Sequence, residues 1–307
     1  MILTLDIVSL VLAGLLGMAV GGNNLSACCG PLIGSGMVSR RTGILIAITG
    51  YILGLALEGP KLFRVREIFL PIDTATGTFS ILLATLLVFL GGELSQIPLS
   101  LSKALTGAIL GVSIALGVFN SSGYLGLILA FWFLVPFAAT ALGMLLVGLD
   151  DRFSPRNLWL KLSFFKTGLL LVSFLSAYVL GSNTLGLIAG VVYNQTLYAT
   201  VTVGLAAGLG TFVLGRGALR RLTEGIFSLR YPNAFFAQLI GSVTVELANQ
   251  LGVPLSITET VSSGIIGSGL ARRMRMMNAR NAFLIISSWI ISPIAGFLLA
   301  YGLTKLL

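Results

Sequence analysis

Histidine is absent from this chain of 307 residues, and cysteine occurs only twice, as the neighbours Cys28 and Cys29. The lack of histidine excludes a Ser-His-Asp triad, and two adjacent cysteines do not have the spacing of a structural zinc site. Paired carboxylates at a spacing typical of acid–base catalysis are missing as well. We therefore predict that the protein is not an enzyme and that it contains no metal centre.

Charged side chains are also scarce, since they make up 9% of the residues while hydrophobic residues make up 56%. The mean hydropathy is +1.01, whereas a soluble domain carries about 25% charged residues. Such a chain is stable where lipid is the solvent. The net charge of +9 comes from Lys and Arg in short loops, which the positive-inside rule explains better than binding of nucleic acid. We predict an all-α integral membrane protein whose first apolar stretch, residues 3–20, is retained as a membrane segment.

Three short motifs occur twice, in the same order and at nearly constant spacing. Gly21–Leu25 resembles Gly181–Leu185, Ile97–Ser102 resembles Val253–Thr258, and Trp132 precedes Pro136 by four residues as Trp289 precedes Pro293. Internal repetition of this kind indicates a duplicated architecture. The sequence therefore predicts two repeats, residues 1–149 and 167–307, joined by a linker at residues 150–166.

The loops of the two repeats carry opposite charge patterns. Ser39–Arg41 is basic where Val191–Ala199 is uncharged, and Asn120–Gly123 is uncharged where Arg272–Arg280 is basic. Basic loops stay in the cytoplasm, so the repeats are predicted to have inverted topology, with the basic linker in the cytoplasm and both termini outside a plasma membrane. Inverted repeats are typical of secondary transporters, although channels also have them.

Two motifs in each repeat predict interruptions of the membrane helices. Gly permits irregular backbone, and Asn offers hydrogen-bonding groups there. In the Pro-x-Ser motifs, Pro favours the first turn of a helix, where free N–H groups and hydroxyls form an anion site. A single copy would be explained equally well by a kink or by ordinary capping. Matched copies predict broken helices that bring Asn23, Asn24, Asn183, Thr184, Ser100, Ser102, Ser256 and Thr258 near an anion.

Lys103 and Glu259 are the charged residues in equivalent positions, because each lies five residues after the proline of its repeat. Charges within a bilayer are costly and mark functional sites. We predict that Lys103 and Glu259 face each other, that Lys103 supplies positive charge to the anion site, and that Glu259 pairs with it or accepts a proton. The alternative is a purely structural ion pair.

At these motifs the chain resembles the PiT family of inorganic phosphate transporters, which includes sulfate permeases. The family signature appears as Gly21–Cys28 followed by Gly30 and Pro31, with a weaker copy at Gly181–Gly190, and the Pro-Ser motifs appear at Pro98–Lys103 and Pro254–Glu259. The resemblance covers residues 10–300. It implies re-entrant helical hairpins, about 10–12 membrane segments, a homodimer, and phosphate or sulfate bound between the Pro-Ser motifs.

The chain departs from the family pattern at the positions that matter for coupling. Asn24 and Thr184 stand where the family has aspartates, Gln238 stands at a family glutamate, and Lys103 and Glu259 replace histidines. Loss of charged oxygens weakens a sodium site, so coupling to protons through Glu259, with Gln238 as the second coupling position, is favoured over sodium. Phosphate and sulfate both remain open. An uncoupled anion channel or exchanger of the same fold is the alternative.

Overall fold

The structure is a computed structural model that describes residues 2–95, 97, 99–153, 157–192, 196–215, 231–271 and 279–307. These residues form α-helices, and no β-strand occurs among them. The helices of the first half are α1 (Ile2–Gly34), α2 (Arg40–Leu57), α3 (Pro60–Phe69), α4 (Ala75–Ser95), α5 (Leu101–Ala115) and α6 (Ser122–Phe153). Those of the second half are α7 (Leu158–Leu180), a π-helical turn (Gly181–Leu185), α8 (Gly186–Val191), α9 (Thr196–Val213), α10 (Tyr231–Gln250), α11 (Ile257–Ala271) and α12 (Ala279–Leu306). The predicted all-α class is confirmed.

Seven segments of the described chain are long and apolar enough to cross a bilayer. They carry large apolar side chains on their outer surface, such as Phe133, Leu205 and Phe212, which in water would be an aggregation hazard but in lipid are in their preferred solvent. The chain is therefore a multi-pass membrane protein.

The two halves of the chain interlock rather than lie side by side. Helix α1 packs on α9 and α2 packs on α7, while α5 packs on α12 and α11 packs on α6. Each of these contacts joins one half to the other, and each has a counterpart with the halves exchanged. Their opposite orientation across a membrane stays a prediction.

The predicted interruption at the Pro-Ser motifs is confirmed in the described residues. Extended backbone precedes both α5 and α11, and each of these helices has 15 residues; Pro98 itself lies outside the described residues. At about 1.5 Å per residue, such a helix is about 22 Å long, which is shorter than the bilayer core of about 30 Å. Both helices therefore begin inside the molecule.

The interruption predicted at Gly21–Asn24 is wrong, because α1 runs through it as one continuous helix. The glycines serve close packing instead. A Cβ atom at Gly21 would lie 2.0 Å from the carbonyl oxygen of Ala207, and one at Gly210 would lie 1.9 Å from that of Met18. In the second copy the helix does change, since Gly181–Leu185 forms the π-helical turn.

The segment predicted as a linker is mostly helical. Helix α6 ends at Phe153 and α7 begins at Leu158, capped by the side chain of Asn157. Lys161 contacts Asp150 at 3.2 Å across this junction. Most of the basic loop predicted at Arg272–Arg280 lies outside the described residues.

Candidate functional site

The N-terminal ends of α5 and α11, which belong to different halves, define the candidate site. Ser100 is the N-cap residue of α5, and its N–H group donates to Ser292 Oγ at 2.8 Å. At α11, Ser256 Oγ accepts a hydrogen bond from the N–H group of Glu259 at 3.4 Å. The first turn of any helix has N–H groups without partners within the helix, and its dipole favours negative charge.

Hydroxyl groups from both signature and Pro-Ser motifs meet at these helix ends. Ser102 Oγ lies 2.9 Å from Thr184 Oγ1, which links α5 to the π-helical turn of the other half. Ser256 Oγ and Thr258 Oγ1 are also 2.9 Å apart. The structure thus places four predicted substrate-binding residues in two pairs of buried or half-buried hydroxyls, one pair at each helix end.

Asn183 positions the extended segment that leads into α11. Its Nδ2 donates to the carbonyl oxygen of Val253, and its Oδ1 accepts from the N–H group of Leu255, both at 3.2 Å. The predicted Asn183 therefore lies next to the second Pro-Ser motif and satisfies backbone groups that the interruption leaves without helical partners.

Lys103 and Glu259 form a buried ion pair, as their matched sequence positions suggested. Lys103 Nζ lies 2.7 Å from Glu259 Oε2, and the two residues are 2% and 6% exposed. Removing one partner of such a pair leaves an uncompensated buried charge and costs about 3–5 kcal/mol.

Two tryptophans enclose the ammonium group of Lys103, which sequence reasoning did not foresee. Lys103 Nζ lies 5.3 Å from the ring centre of Trp132 and 5.6 Å from that of Trp289. Trp132 Nε1 also donates to the carbonyl oxygen of Pro254 at 2.8 Å. The matched Trp and Pro positions of the two repeats could have pointed to these tryptophans, but they were used only to identify the repeats. Both rings and Lys103 also line a mainly apolar cavity of about 740 Å³.

Asn23 and Asn24 have other contacts in the described structure. Asn24 Nδ2 donates to the carbonyl oxygen of Val20 within α1, and Asn23 lines a second cavity, of about 440 Å³, together with Glu93. Among the described residues no hydrogen bond joins either Asn to the hydroxyl group cluster. Their role in substrate binding stays a prediction.

Gln238 on α10 is hydrogen-bonded through its buried amide to two other helices, α1 and α7. Its Nε2 donates to the carbonyl oxygens of Ala27 and Cys28, at 2.9 and 2.6 Å, and its Oε1 accepts from Ser173 Oγ at 3.4 Å. These bonds hold α10 against α1 and α7, which accounts for the burial of this polar side chain. Its predicted part in coupling stays a prediction.

Comparison with known proteins places the chain in a family. The family model described as Phosphate transporter family matches residues 20–176 and 160–300. A sulfate permease of Bacillus subtilis, CysP, is 26% identical over 94% of this chain and 84% of its own. A protein of the same organism named as a probable low-affinity inorganic phosphate transporter is 26% identical over 84% of each chain.

A solved structure titled as the sodium-dependent phosphate transporter has the same fold. Its TM-score is 0.82 at 18% identity, over 99% of this chain and 98% of that one. The matches of sequence and of fold agree with each other and with the motifs described above. The chain belongs to the phosphate transporter family.

Proposed function

We propose that this protein is a secondary transporter that carries phosphate or sulfate and binds the anion between the N-terminal ends of α5 and α11. The observation that carries the proposal is the buried Lys103–Glu259 pair, with its 2.7 Å contact. The pair joins a cation and a proton acceptor from different halves, next to the hydroxyl groups of both Pro-Ser motifs. Membership of the family and the names of the two Bacillus subtilis relatives support phosphate and sulfate as substrates.

The charges near the pair favour a doubly charged tetrahedral anion. Each helix N-terminus acts as about +0.5 of an elementary charge, and Lys103 adds one full charge. When Glu259 is protonated, the positive charge facing the site is therefore about +2, which matches sulfate or monohydrogen phosphate. When Glu259 is ionised, its carboxylate occupies the place beside Lys103 that an anion would need.

Competition for Lys103 gives a physical basis for coupling to protons. A proton on Glu259 weakens the pair and releases the ammonium group to the anion, so the two ligands bind together more readily than either binds alone. Sodium coupling at the signature positions has less support. Asn24 and Thr184 offer neutral oxygens, and Thr184 Oγ1 is hydrogen-bonded to Ser102.

Alternating access is the form of movement that this arrangement suits. The pair and the Ser102–Thr184 contact both lie where the halves meet, so a relative movement of the halves changes the partners of Lys103. We also propose a plasma-membrane location with both termini outside, as the positive-inside rule predicts. The homodimer implied by the family resemblance stays a prediction.

Uptake into proteoliposomes tests the proposal. Radiolabelled sulfate and phosphate are measured in parallel under a proton gradient, a sodium gradient, or neither. Saturable uptake of either anion that a proton gradient stimulates supports the proposal. Stimulation by sodium alone would refute the proton mechanism, and non-saturable flux without a gradient effect would favour the channel.

Two substitutions locate the coupling step. Glu259→Gln removes the acceptor while keeping the shape, so we expect exchange of anion to persist and stimulation by a proton gradient to disappear. Lys103→Met removes the cation, so uptake falls at least tenfold. Lys305→Met, at the C-terminal end of α12, is the matched control and leaves uptake unchanged. Normal gradient-driven uptake by Lys103→Met would exclude an anion site at this lysine.

A further inference from the structure

A second group of charged and polar side chains joins the two halves where α2 and α10 end. Glu58 directly follows α2 and Lys61 lies in α3, while Glu246, Asn249 and Gln250 form the last turns of α10. Neither the sequence motifs nor the proposed transport site involves these residues. Their hydrogen-bonding groups can be assigned one by one.

All the donors of this group point at three oxygen atoms. Lys61 Nζ lies 3.2 Å from Glu58 Oε2 and donates to Gln250 Oε1 at 2.6 Å. Asn249 Nδ2 and Gln250 Nε2 each donate to Glu58 Oε2 at 3.1 Å. Gln250 Nε2 also donates to Glu246 Oε1. Glu58 Oε2, Glu246 Oε1 and Gln250 Oε1 are thus satisfied.

Two buried acceptor oxygens remain without a donor among the described residues: Glu246 Oε2 and Asn249 Oδ1. Asn249 is fully buried. The opposite orientation of the Asn249 amide would not satisfy its oxygen, because the oxygen would then face the Glu58 carboxylate, to which Nδ2 now donates. Glu246 and Asn249 are three residues apart in α10 and so share one face of the helix. Buried acceptors are normally satisfied, so these two oxygen atoms are available to a hydrogen-bond donor or to a cation.

The charge of the group points to the same kind of ligand. Glu58 and Glu246 are in direct contact, and with both ionised against Lys61 the net charge is −1. Burial raises the pKa of Glu58, but the hydrogen bond with Glu246 and the adjacent Lys61 outweigh burial and lower that pKa overall. Tyr178 of α7 also faces the two carboxylates.

We propose that these residues form a binding site for a monovalent alkali cation, with Glu246 Oε2, Asn249 Oδ1 and the Glu58 carboxylate as ligands. Hard cations require oxygen ligands, and Glu246 Oε2 and Asn249 Oδ1 have no competing donor among the described residues. One positive charge would neutralise the group. The site contains two carboxylates and one amide oxygen, a ligand set with little negative charge, which suits a monovalent ion better than a multivalent one. A bound cation would fasten α10 to the α2–α3 junction of the other half.

Thermal unfolding of the full chain in detergent tests this site without measuring transport. The unfolding midpoint is compared in NaCl and in choline chloride at equal ionic strength, and binding of radioactive Na⁺ is measured directly. We expect a higher midpoint in NaCl than in choline chloride, and saturable binding of Na⁺.

Asn249→Leu and Glu246→Gln should each lower Na⁺ binding at least tenfold. Glu67→Gln is the matched control, since Glu67 is an exposed acid on α3, and it should bind Na⁺ as the unaltered protein does. Lys61→Met removes the competing positive charge and should strengthen Na⁺ binding several-fold, which a folding defect cannot imitate. Equal midpoints in the two salts, or unchanged Na⁺ binding by Asn249→Leu, would overturn the proposal and leave a shared proton between Glu58 and Glu246.

Discussion

Lys103 has three partners at once: the carboxylate of Glu259 and the ring faces of Trp132 and Trp289. The faces of aromatic rings carry partial negative charge and attract an ammonium group. A carboxylate can bind a proton, and its full negative charge repels an anion. A tryptophan ring does not bind a proton at ordinary pH and carries no net charge. In the proposed mechanism, the tryptophans therefore hold the Lys103 ammonium group in place while Glu259 releases it.

Replacing Trp289 should weaken anion binding. A ring over a desolvated ammonium group is worth about 0.5–2 kcal/mol, so Trp289→Leu should reduce anion affinity by roughly two- to thirtyfold, while Trp289→Phe keeps most of it. Half-saturation of uptake at several pH values measures the effect. Trp159→Leu is the matched control, because Trp159 is 82% exposed. Equal affinities for the Leu and Phe variants would show that the ring only fills space.

The buried pair also makes a prediction about stability. Lys103→Met leaves the Glu259 charge without a partner and should destabilise the protein by about 3–5 kcal/mol. The double variant Lys103→Met with Glu259→Met removes both charges and should recover most of that loss. Unfolding midpoints in detergent measure both. Additive losses in the double variant would mean that the two side chains do not interact.

At the scale of elements, the contact of α1 with α9 depends on the absence of side chains at two glycines. Gly21 and Gly210 lie against backbone carbonyls of the facing helix, at distances that no Cβ atom tolerates. Each half supplies one of these glycines. The contact therefore fixes how closely the two halves approach.

Gly21→Ala should be destabilising by about 1–3 kcal/mol or more, because the new methyl group overlaps with Ala207. Gly91→Ala is the control within a helix, since a Cβ atom there meets nothing within 4 Å. Alanine favours a helix by about 1 kcal/mol over glycine, so this variant should be as stable as the parent or more stable. Thermal unfolding compares the two. A Gly21→Ala protein of normal stability would mean that α1 and α9 separate easily.

At the scale of the whole molecule, the predicted orientation in the membrane can be measured with single cysteines. Cys28 and Cys29 are both buried, so background labelling is low. Ser39→Cys should react with a membrane-impermeant maleimide only from the cytoplasmic side, and Asn120→Cys only from outside. Labelling of both positions from the same side would contradict the inverted topology.

Local sequence was sufficient for those features that one segment determines alone. Proline followed by serines sets the start of a helix wherever it occurs, so the interruptions before α5 and α11 could be predicted, as could the facing of Lys103 and Glu259 from their matched positions. Glycine is different, because irregular backbone and close approach both favour it. Which of the two applies depends on the helix that packs against the glycine, and the local sequence does not show that helix. The prediction of an interruption at Gly21–Asn24 was wrong for this reason. The tryptophans around Lys103 were missed because each reaches it from a separate helix, distant in sequence.

The Lys103–Glu259 pair has a consequence for the response to voltage. In the proposed transport cycle, an empty site that contains one positive and one negative charge is neutral as a whole, so its movement across the membrane field would involve no electrical work. Moving one elementary charge across a membrane potential of 100 mV involves about 2.3 kcal/mol of electrical work. In this cycle that work would arise only in the step in which the site carries its anion and proton. A dianion carried with one proton would be slowed by a cell interior that is negative, whereas a monoanion carried with one proton would be indifferent to voltage. The current that accompanies uptake therefore reports the protonation state of the cargo.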